Sequence, residues 1–134
     1  MQPFANVAVQ MVGLHKVQVL DDTILMRFHG DYLPDEARVI LALIDEVGAK
    51  QSQVCLLVDL QAARGPTPET RRILADWRAR GLSCQTIYFG SNPLNRAFIH
   101  IIHAAMRVLG DANIKYCTFA HEADALKFWA ARRR

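Results

Sequence analysis

The sequence predicts one α/β domain with a mostly parallel sheet, in the element order β-β-α-β-α-β-α-β-α. Strand-like and helix-like segments alternate along the chain after an opening pair of strands. Residues 54–60 form a continuous apolar run, typical of a central parallel strand that is covered on both faces. The 134 residues fit a single domain spanning 1–134, and a domain of this length can bury a substantial core.

The opening segments predict an antiparallel hairpin. Residues 1–13 carry no strong pattern and are interpreted either as an extra edge strand or as a loose arm. Val17 and Val19 then alternate with polar residues, Asp21-Asp22 supplies a turn, and residues 23–29 alternate again. Two alternating strands joined by so short a turn add one antiparallel strand to the sheet.

Three helices are predicted from their starting residues. Pro34 is followed by two acids, Thr67 precedes Pro68 and Glu69, and Ser91-Asn92 precedes Pro93. The predicted stops are glycines, namely Gly48, Gly81 and Gly110. The remaining strands are predicted at 86–90 and 114–119, and a last helix runs from about residue 122 into the arginine tail. The residues expected to be nearly inaccessible to solvent are Leu56, Val58, Trp77, Ile87 and Phe89.

Composition excludes several classes of protein. The net charge of +3 vanishes without the terminal Arg132, Arg133 and Arg134, so the chain lacks the dense basic face of a nucleic-acid binder. No amino-terminal signal and no run of 18 apolar residues is visible, which predicts a cytoplasmic protein without a membrane span. The three cysteines form no Cys-x-x-Cys pair and are expected to be buried thiols in a reducing compartment.

A candidate binding rim follows from the predicted topology. Ligands of open α/β sheets lie at the carboxyl ends of the strands, and helix amino termini there favour anions. The residues expected near this rim are Asp59, Arg64, Thr67, Ser91, Asn92, Asn95 and Arg96. The alternative is that Thr67, Ser91 and Asn92 only cap helices and that Arg64 is solvated.

The third predicted helix is apolar around most of its circumference, with one polar stripe. Arg96, His100, His103 and Arg107 follow that stripe at spacings of four, three and four. A helix of this kind needs cover on more than one side, either by the domain itself or by a protein partner, a second copy or a lipid. The candidate interface comprises Phe98, His100, Ile102, His103, Met106 and Arg107. A metal at the two histidines lacks a third ligand, so no metal or cofactor is expected.

Catalytic motifs are missing from the sequence. It contains no G-x-S-x-G, no Walker A motif and no glycine-rich dinucleotide fingerprint. Asp21 and Asp22 lie in a hairpin turn rather than at a strand-to-helix junction, and the five histidines have no adjacent nucleophile. The chain is therefore predicted not to be an enzyme.

Three stretches resemble the SpoIIAA-like, or STAS, domains. They are VCLLVDLQ at 54–61, TIYFGSNPLNRAFIHII at 86–102 and YCTFAHEADALKFW at 116–129. The resemblance implies a regulatory or protein-interaction module, which in some relatives is switched by phosphorylation of a Ser or Thr. The family's Asp-Ser-Ser-Gly motif is replaced by Ala-Arg-Gly-Pro-Thr-Pro-Glu-Thr at 63–70, where Thr67 lies nearest the phosphoacceptor position. Such domains also resemble the SEC14 lipid-binding fold, which implies a small apolar ligand or lipid as the alternative.

Overall fold

A six-stranded sheet lies at the centre of the computed structural model, which describes residues 2–77, 84–108 and 114–133. Its strands, in spatial as in sequence order, are β1 (Gln10–Val12), β2 (His15–Leu20), β3 (Thr23–Tyr32), β4 (Val54–Pro66), β5 (Cys84–Phe89) and β6 (Ile114–Phe119). The first three strands pair antiparallel, whereas β3 to β6 pair parallel. The mostly parallel sheet is confirmed, and the segment before residue 14 supplies the extra edge strand.

Four helices cover the sheet within the described residues: α1 (Pro34–Gln51), α2 (Pro68–Trp77), α3 (Pro93–Val108) and α4 (Glu122–Arg132). The first core cluster joins α1 and α2 to one face of the sheet, and α3 contacts the same face through Tyr88. The second cluster joins α4 to the opposite face. In α3 and β6, the side chains at positions 98, 102, 105–108 and 114 lie outside the described residues.

The predicted helix ends are only partly right. Gly48 is not the stop of α1, because the helix continues to Gln51 and Ser52 takes the left-handed conformation, with φ of 62°. The stops predicted at Gly81 and Gly110 lie outside the described residues. The start of α2 agrees with the prediction, since the Thr67 hydroxyl accepts the Thr70 N–H at 3.3 Å. It also lies 2.8 Å from the Thr70 hydroxyl.

The central strand β4 is buried on both faces, as its apolar run predicts. Leu56 and Val58 face α1 and α2, whereas Leu57 faces α4 and is completely buried. Ile87 and Phe89 of β5 are also fully buried, so four of the five predicted core residues are confirmed. The prediction for Trp77 is wrong because this side chain is half-buried, and its indole N–H donates to Asp45 Oδ1 at 2.9 Å.

The strands β3 and β4 are longer than their neighbours. The ladder between β4 and β5 ends at Asp59, opposite Phe89, but β4 continues along β3 until Pro66 pairs with Tyr32. Two register shifts interrupt this extension, and Gly65 adopts a φ of 102° within it. Part of the segment that the sequence predicted as a loop is therefore a two-stranded arm, which reaches past the end of β5.

A buried histidine fastens the hairpin to α1. His15 is fully buried, its Nε2 donates to Glu36 Oε1 at 2.8 Å, and its Nδ1 accepts the His29 N–H at 3.0 Å. Because Nδ1 is an acceptor here, the ring is the neutral tautomer protonated on Nε2. Gly13 completes the contact, since a Cβ there would lie 1.9 Å from Glu36 Oε2. The position tolerates glycine alone without rearrangement.

The last helix closes the second core onto the first strands of the chain. Trp129 is buried, and its indole N–H donates to the Thr23 hydroxyl at 2.9 Å. Its ring lies 5.6 Å from that of Phe4, a buried residue of the amino-terminal segment. The two ends of the described chain thus meet beside β3.

Replacing Leu57 with alanine is expected to destabilise the fold by about 2–5 kcal/mol, because the side chain is fully buried between the sheet and α4. Chemical denaturation measures this free energy of unfolding. The matched control is Leu14→Ala, at a side chain that is 67% exposed, with an expected change within about 0.5 kcal/mol. A loss below about 1 kcal/mol for Leu57→Ala would contradict the assignment of β4.

Thr67→Ala is expected to lower the free energy of unfolding by about 1 kcal/mol, because it removes the acceptor for the Thr70 N–H. Thr67→Ser keeps that acceptor and should be nearly silent. Denaturation of the three proteins in parallel distinguishes them. Equal stability of the alanine and serine variants would show that the cap contributes nothing.

Candidate ligand-binding site

An apolar pocket of about 190 Å³ lies between the sheet and the helices α1, α2 and α3. Its floor is the α1 side of β3, β4 and β5, including the extension of β4 beyond β5. Phe28, Ile44, Val58 and Leu74 are among the apolar side chains of its wall. The pocket therefore enters the larger hydrophobic core and opens toward solvent beside Arg64.

Polar side chains reach this pocket mainly at its edge. Arg64 belongs to the β4 extension, whereas Asn95 and His103 belong to α3. No Asp or Glu belongs to the described wall, and Arg64 is exposed without an acidic partner among the described residues. The pocket wall is thus mostly apolar, with the positive charge of Arg64 at its edge.

Tyr32 supplies a second polar group. Its side chain is 8% exposed and lines the pocket, packed against the rings of Phe28 and His15. Burial, and after it the negative charge of Glu36, raises the pKa of Tyr32, so its hydroxyl stays protonated at neutral pH. That hydroxyl makes no hydrogen bond within the described parts of the chain. It is available as a donor to a ligand.

A histidine and tyrosine network attaches α3 to β5 and β6. His103 Nε2 lies 2.9 Å from the Tyr88 hydroxyl, and its ring stacks on Tyr116 with centroids 3.9 Å apart. His100 Nδ1 lies 2.7 Å from the Tyr116 hydroxyl. Burial raises the pKa of Tyr88, so this hydroxyl stays protonated in the contact. The hydrogen bond joins α3 to β5, and its direction depends on the tautomer of His103.

The network corrects the predicted orientation of the polar stripe on α3. His103 is only 3% exposed and points into the fold, not toward an outer interface. His100 is exposed, as the prediction requires. The side chains of Phe98, Ile102, Met106 and Arg107 lie outside the described residues, so their interface role stays a prediction.

The predicted rim residues are only partly brought together. Arg64 and Asn95 line the pocket, whereas Arg96 is exposed and does not. Asn92 caps α3 by accepting the Asn95 N–H at 2.8 Å, which agrees with the capping alternative. The neighbouring Ser91 hydroxyl is buried and finds no hydrogen-bond partner among the described residues.

Asp59 lies on the opposite face of the sheet from the pocket. Its carboxylate accepts from Arg27 at 2.8 Å and from the Gln61 N–H at 3.0 Å. Arg27 also donates to Glu122, at the start of α4, at 2.5 Å. The hydrogen bond to Glu122 and the second to Asp59 raise the pKa of Arg27 against the effect of its partial burial. Through Arg27, Asp59 therefore links β4 to β3 and α4. Contrary to the prediction that it lies at the binding rim, it does not line the pocket.

The three cysteines form no disulfide with one another, and burial lowers the reactivity of Cys55 and Cys117. Cys84 is buried, whereas Cys55 and Cys117 are half-buried rather than fully buried as predicted. Burial raises the pKa of Cys55 to about 12 and also raises that of Cys117, which keeps both as thiols.

Within the described ranges no three metal-ligating side chains come together, and no helix there has the length and hydropathy of a bilayer span.

Sequence reasoning missed Tyr32, Tyr88 and Tyr116. Each lies on a strand, where a tyrosine is as typical of an ordinary sheet position as of a site. Tyr32 carried one signal, since it ends a strand directly before the Leu33-Pro34 helix start and so lies at the carboxyl edge of the sheet. Its missing hydrogen-bond partner becomes visible only in the folded structure.

Comparison with solved structures gives matches over nearly the whole chain. The unphosphorylated anti-sigma factor antagonist SpoIIAA superposes with a TM-score of 0.53 at 15% identity, covering 92% of this chain and 97% of that one. A DUF3478-family protein with a SpoIIAA-like fold from Shewanella loihica PV-4 also gives 0.53 at 15% identity, covering 91% and 92%. Neither a protein-family model nor a curated protein matches the sequence. The structural likeness agrees with the resemblance carried by the three sequence stretches, and the chain has the SpoIIAA-like, or STAS, fold.

Proposed function

We propose that this chain is a non-catalytic regulatory module that binds a small apolar ligand in the pocket beneath α3. The observation that carries the proposal is the pocket itself, about 190 Å³ in volume and lined mostly by apolar side chains. Protein interiors are normally packed as densely as organic crystals, with few voids larger than a water molecule. An apolar gap bordered by a few polar groups is typical of a ligand site.

The volume limits the ligand to a compact molecule. An apolar cavity of about 150 Å³ accommodates benzene, whereas drug-sized ligands occupy about 300–1,000 Å³. The pocket thus matches a single or fused ring better than a phospholipid. Of the two ligand classes left open by the sequence, a small apolar molecule is favoured over a two-chain lipid.

The position of α3 supports a regulatory role for such binding. Ile99 and His103 of α3 form part of the pocket wall, while Leu94 and Ile101 of the same helix are 72% and 67% exposed. One helix therefore touches both the ligand space and the outer surface. Occupancy of the pocket would favour the position of α3 that contacts the ligand, and an outside partner would detect that shift in population.

A second candidate function is association of two copies through α3. It is favoured by the exposed apolar side chains Leu94 and Ile101, because exposed apolar surface often marks an interaction site. The solved SpoIIAA neighbour is described as an anti-sigma factor antagonist, which is consistent with a module of this fold working through a protein partner. Both candidates place the regulatory contact on the same helix.

Filling the pocket is expected to abolish ligand binding. Indole is a suitable neutral probe, and saturating indole at about 100 times its Kd should add about 2.7 kcal/mol to the free energy of unfolding. Leu74→Trp places a large ring at the pocket wall and should remove that stabilisation. Thermal unfolding with and without indole measures the effect.

The matched control for the filled pocket is Val39→Trp, on the outer side of α1, where the side chain is 48% exposed and does not line the pocket. This control should retain the response to indole. If indole leaves the wild-type midpoint unchanged, the pocket does not bind small apolar molecules. An equal response of Leu74→Trp and wild type would place the binding elsewhere.

Charge on the outer side of α3 is expected to prevent self-association. Ile101→Lys puts a solvated ammonium group on the exposed apolar patch, so a dimer through this surface should dissociate to monomers. Sedimentation of wild type over a hundredfold range of concentration, beside the control Val39→Lys, measures it. A wild-type protein that remains monomeric throughout would eliminate the dimer and leave the ligand site as the function.

A further inference from the structure

We infer that the ligand is a small acid, with a ring-sized apolar body inside the pocket and one carboxylate held at the pocket edge by Arg64 and Tyr32. The inference rests on the proposed function, because it uses the same pocket. It adds the chemical class of the molecule, which the apolar wall alone leaves undefined.

Charge at the edge points to an anion. Arg64 lines the pocket, is exposed, and has no acidic partner among the described residues, while the described wall contains no carboxylate. Some arginines away from the pocket are paired with acids, for example Arg27 with Asp59 and Arg133 with Asp22. A guanidinium group left without an acid beside an apolar pocket is suited to a carboxylate, which it can bind through two parallel hydrogen bonds.

The Tyr32 hydroxyl is the second donor. It is a polar group of a buried side chain that borders the pocket, and its hydrogen-bonding capacity is unused within the described chain. The hydroxyl makes no hydrogen bond among the described residues, so an acceptor on the ligand would give it one. A tyrosine hydroxyl is protonated at neutral pH, and burial raises the pKa of Tyr32 further, so the group can donate to an anion there.

The two donor residues lie close together along the backbone of the β3–β4 arm, and both line the pocket. Tyr32 is the register partner of Pro66, two residues after Arg64. The arm also carries Gly30 and Gly65, both in the pocket wall and both with positive φ. A Cβ built on either glycine meets no atom within 4 Å, so the space beside these two backbone positions is open.

The test compares benzoate with benzamide, its neutral equivalent in size and shape. Isothermal titration should show benzoate binding to wild type about tenfold more tightly than benzamide, as a charge-assisted hydrogen bond predicts. Arg64→Gln should weaken benzoate about tenfold and leave benzamide within about twofold. Tyr32→Phe should weaken benzoate by a smaller factor, since it removes an uncharged donor.

Arg96→Gln is the matched control, because it removes the same charge from a nearby exposed position that does not line the pocket. It should leave benzoate binding unchanged. Equal affinity of wild type for benzoate and benzamide would overturn the inference, as would an equal effect of the two arginine variants. Tighter binding of phenyl phosphate than of benzoate would replace the carboxylate by a phosphate and overturn it as stated.

The outcomes also separate this inference from the proposed function. Binding of indole without any preference for benzoate over benzamide would leave the apolar site intact and remove only the acid. Failure of indole, benzamide and benzoate alike would remove both. Binding of benzoate that weakens about tenfold in Arg64→Gln and not in Arg96→Gln supports both together.

Discussion

The unequal length of the sheet strands is the constraint on which the rest of the structure depends. β4 is anchored at the centre because its residues up to Val58 are apolar on both faces, and it then continues to Pro66 beside β3 alone. β5 ends at Phe89 and α3 begins at Pro93, so β5 does not continue beside the extension of β4. Among the described residues, the space between the arm, α1 and α3 is left unfilled, and this space is the pocket.

The back of the pocket is stiffened by a polar contact inside the core. His15 packs edge-on against Phe28 and Tyr32, with ring centroids 5.0 and 5.7 Å apart. Since both ring nitrogens of His15 are hydrogen-bonded, to Glu36 and to His29, its ring cannot turn without breaking a buried bond. Tyr32 therefore has an ordered neighbour on one side and open space on the other.

Much of the fold could be predicted from sequence because its strands and helices carry clear periodicity. The continuous run in β4 and the Thr-Pro and Asn-Pro helix starts are local signals, and the structure agrees with them. The β4 extension was missed since Gly65-Pro66 is typical of a turn, and only pairing with β3 makes it a strand. Gly48 failed as a stop because packing of α1 outweighs the modest cost of a glycine within a helix.

The candidate site was less predictable than the fold. The position of Arg64 and Asn95 at the pocket was predictable because strand ends and helix starts locate the carboxyl edge of a parallel sheet. Helical spacing grouped His100 with His103 but could not decide which side of an apolar helix faces inward. The pocket itself left no trace in the sequence, since its wall combines single residues from strands and helices that are far apart along the chain.

The agreement between spatial and sequence order of the strands has a consequence for how the chain folds. Each strand pairs with the one made just before it, so the sheet can grow from the amino terminus in the order of synthesis with short loop closures. The exception is α4, whose Trp129 returns to Thr23 across 106 positions. Until that helix is synthesised, the face with Leu25, Leu57 and Phe89 lacks the cover of α4, and the nascent chain presents the uncovered part to chaperones or to other unfinished chains.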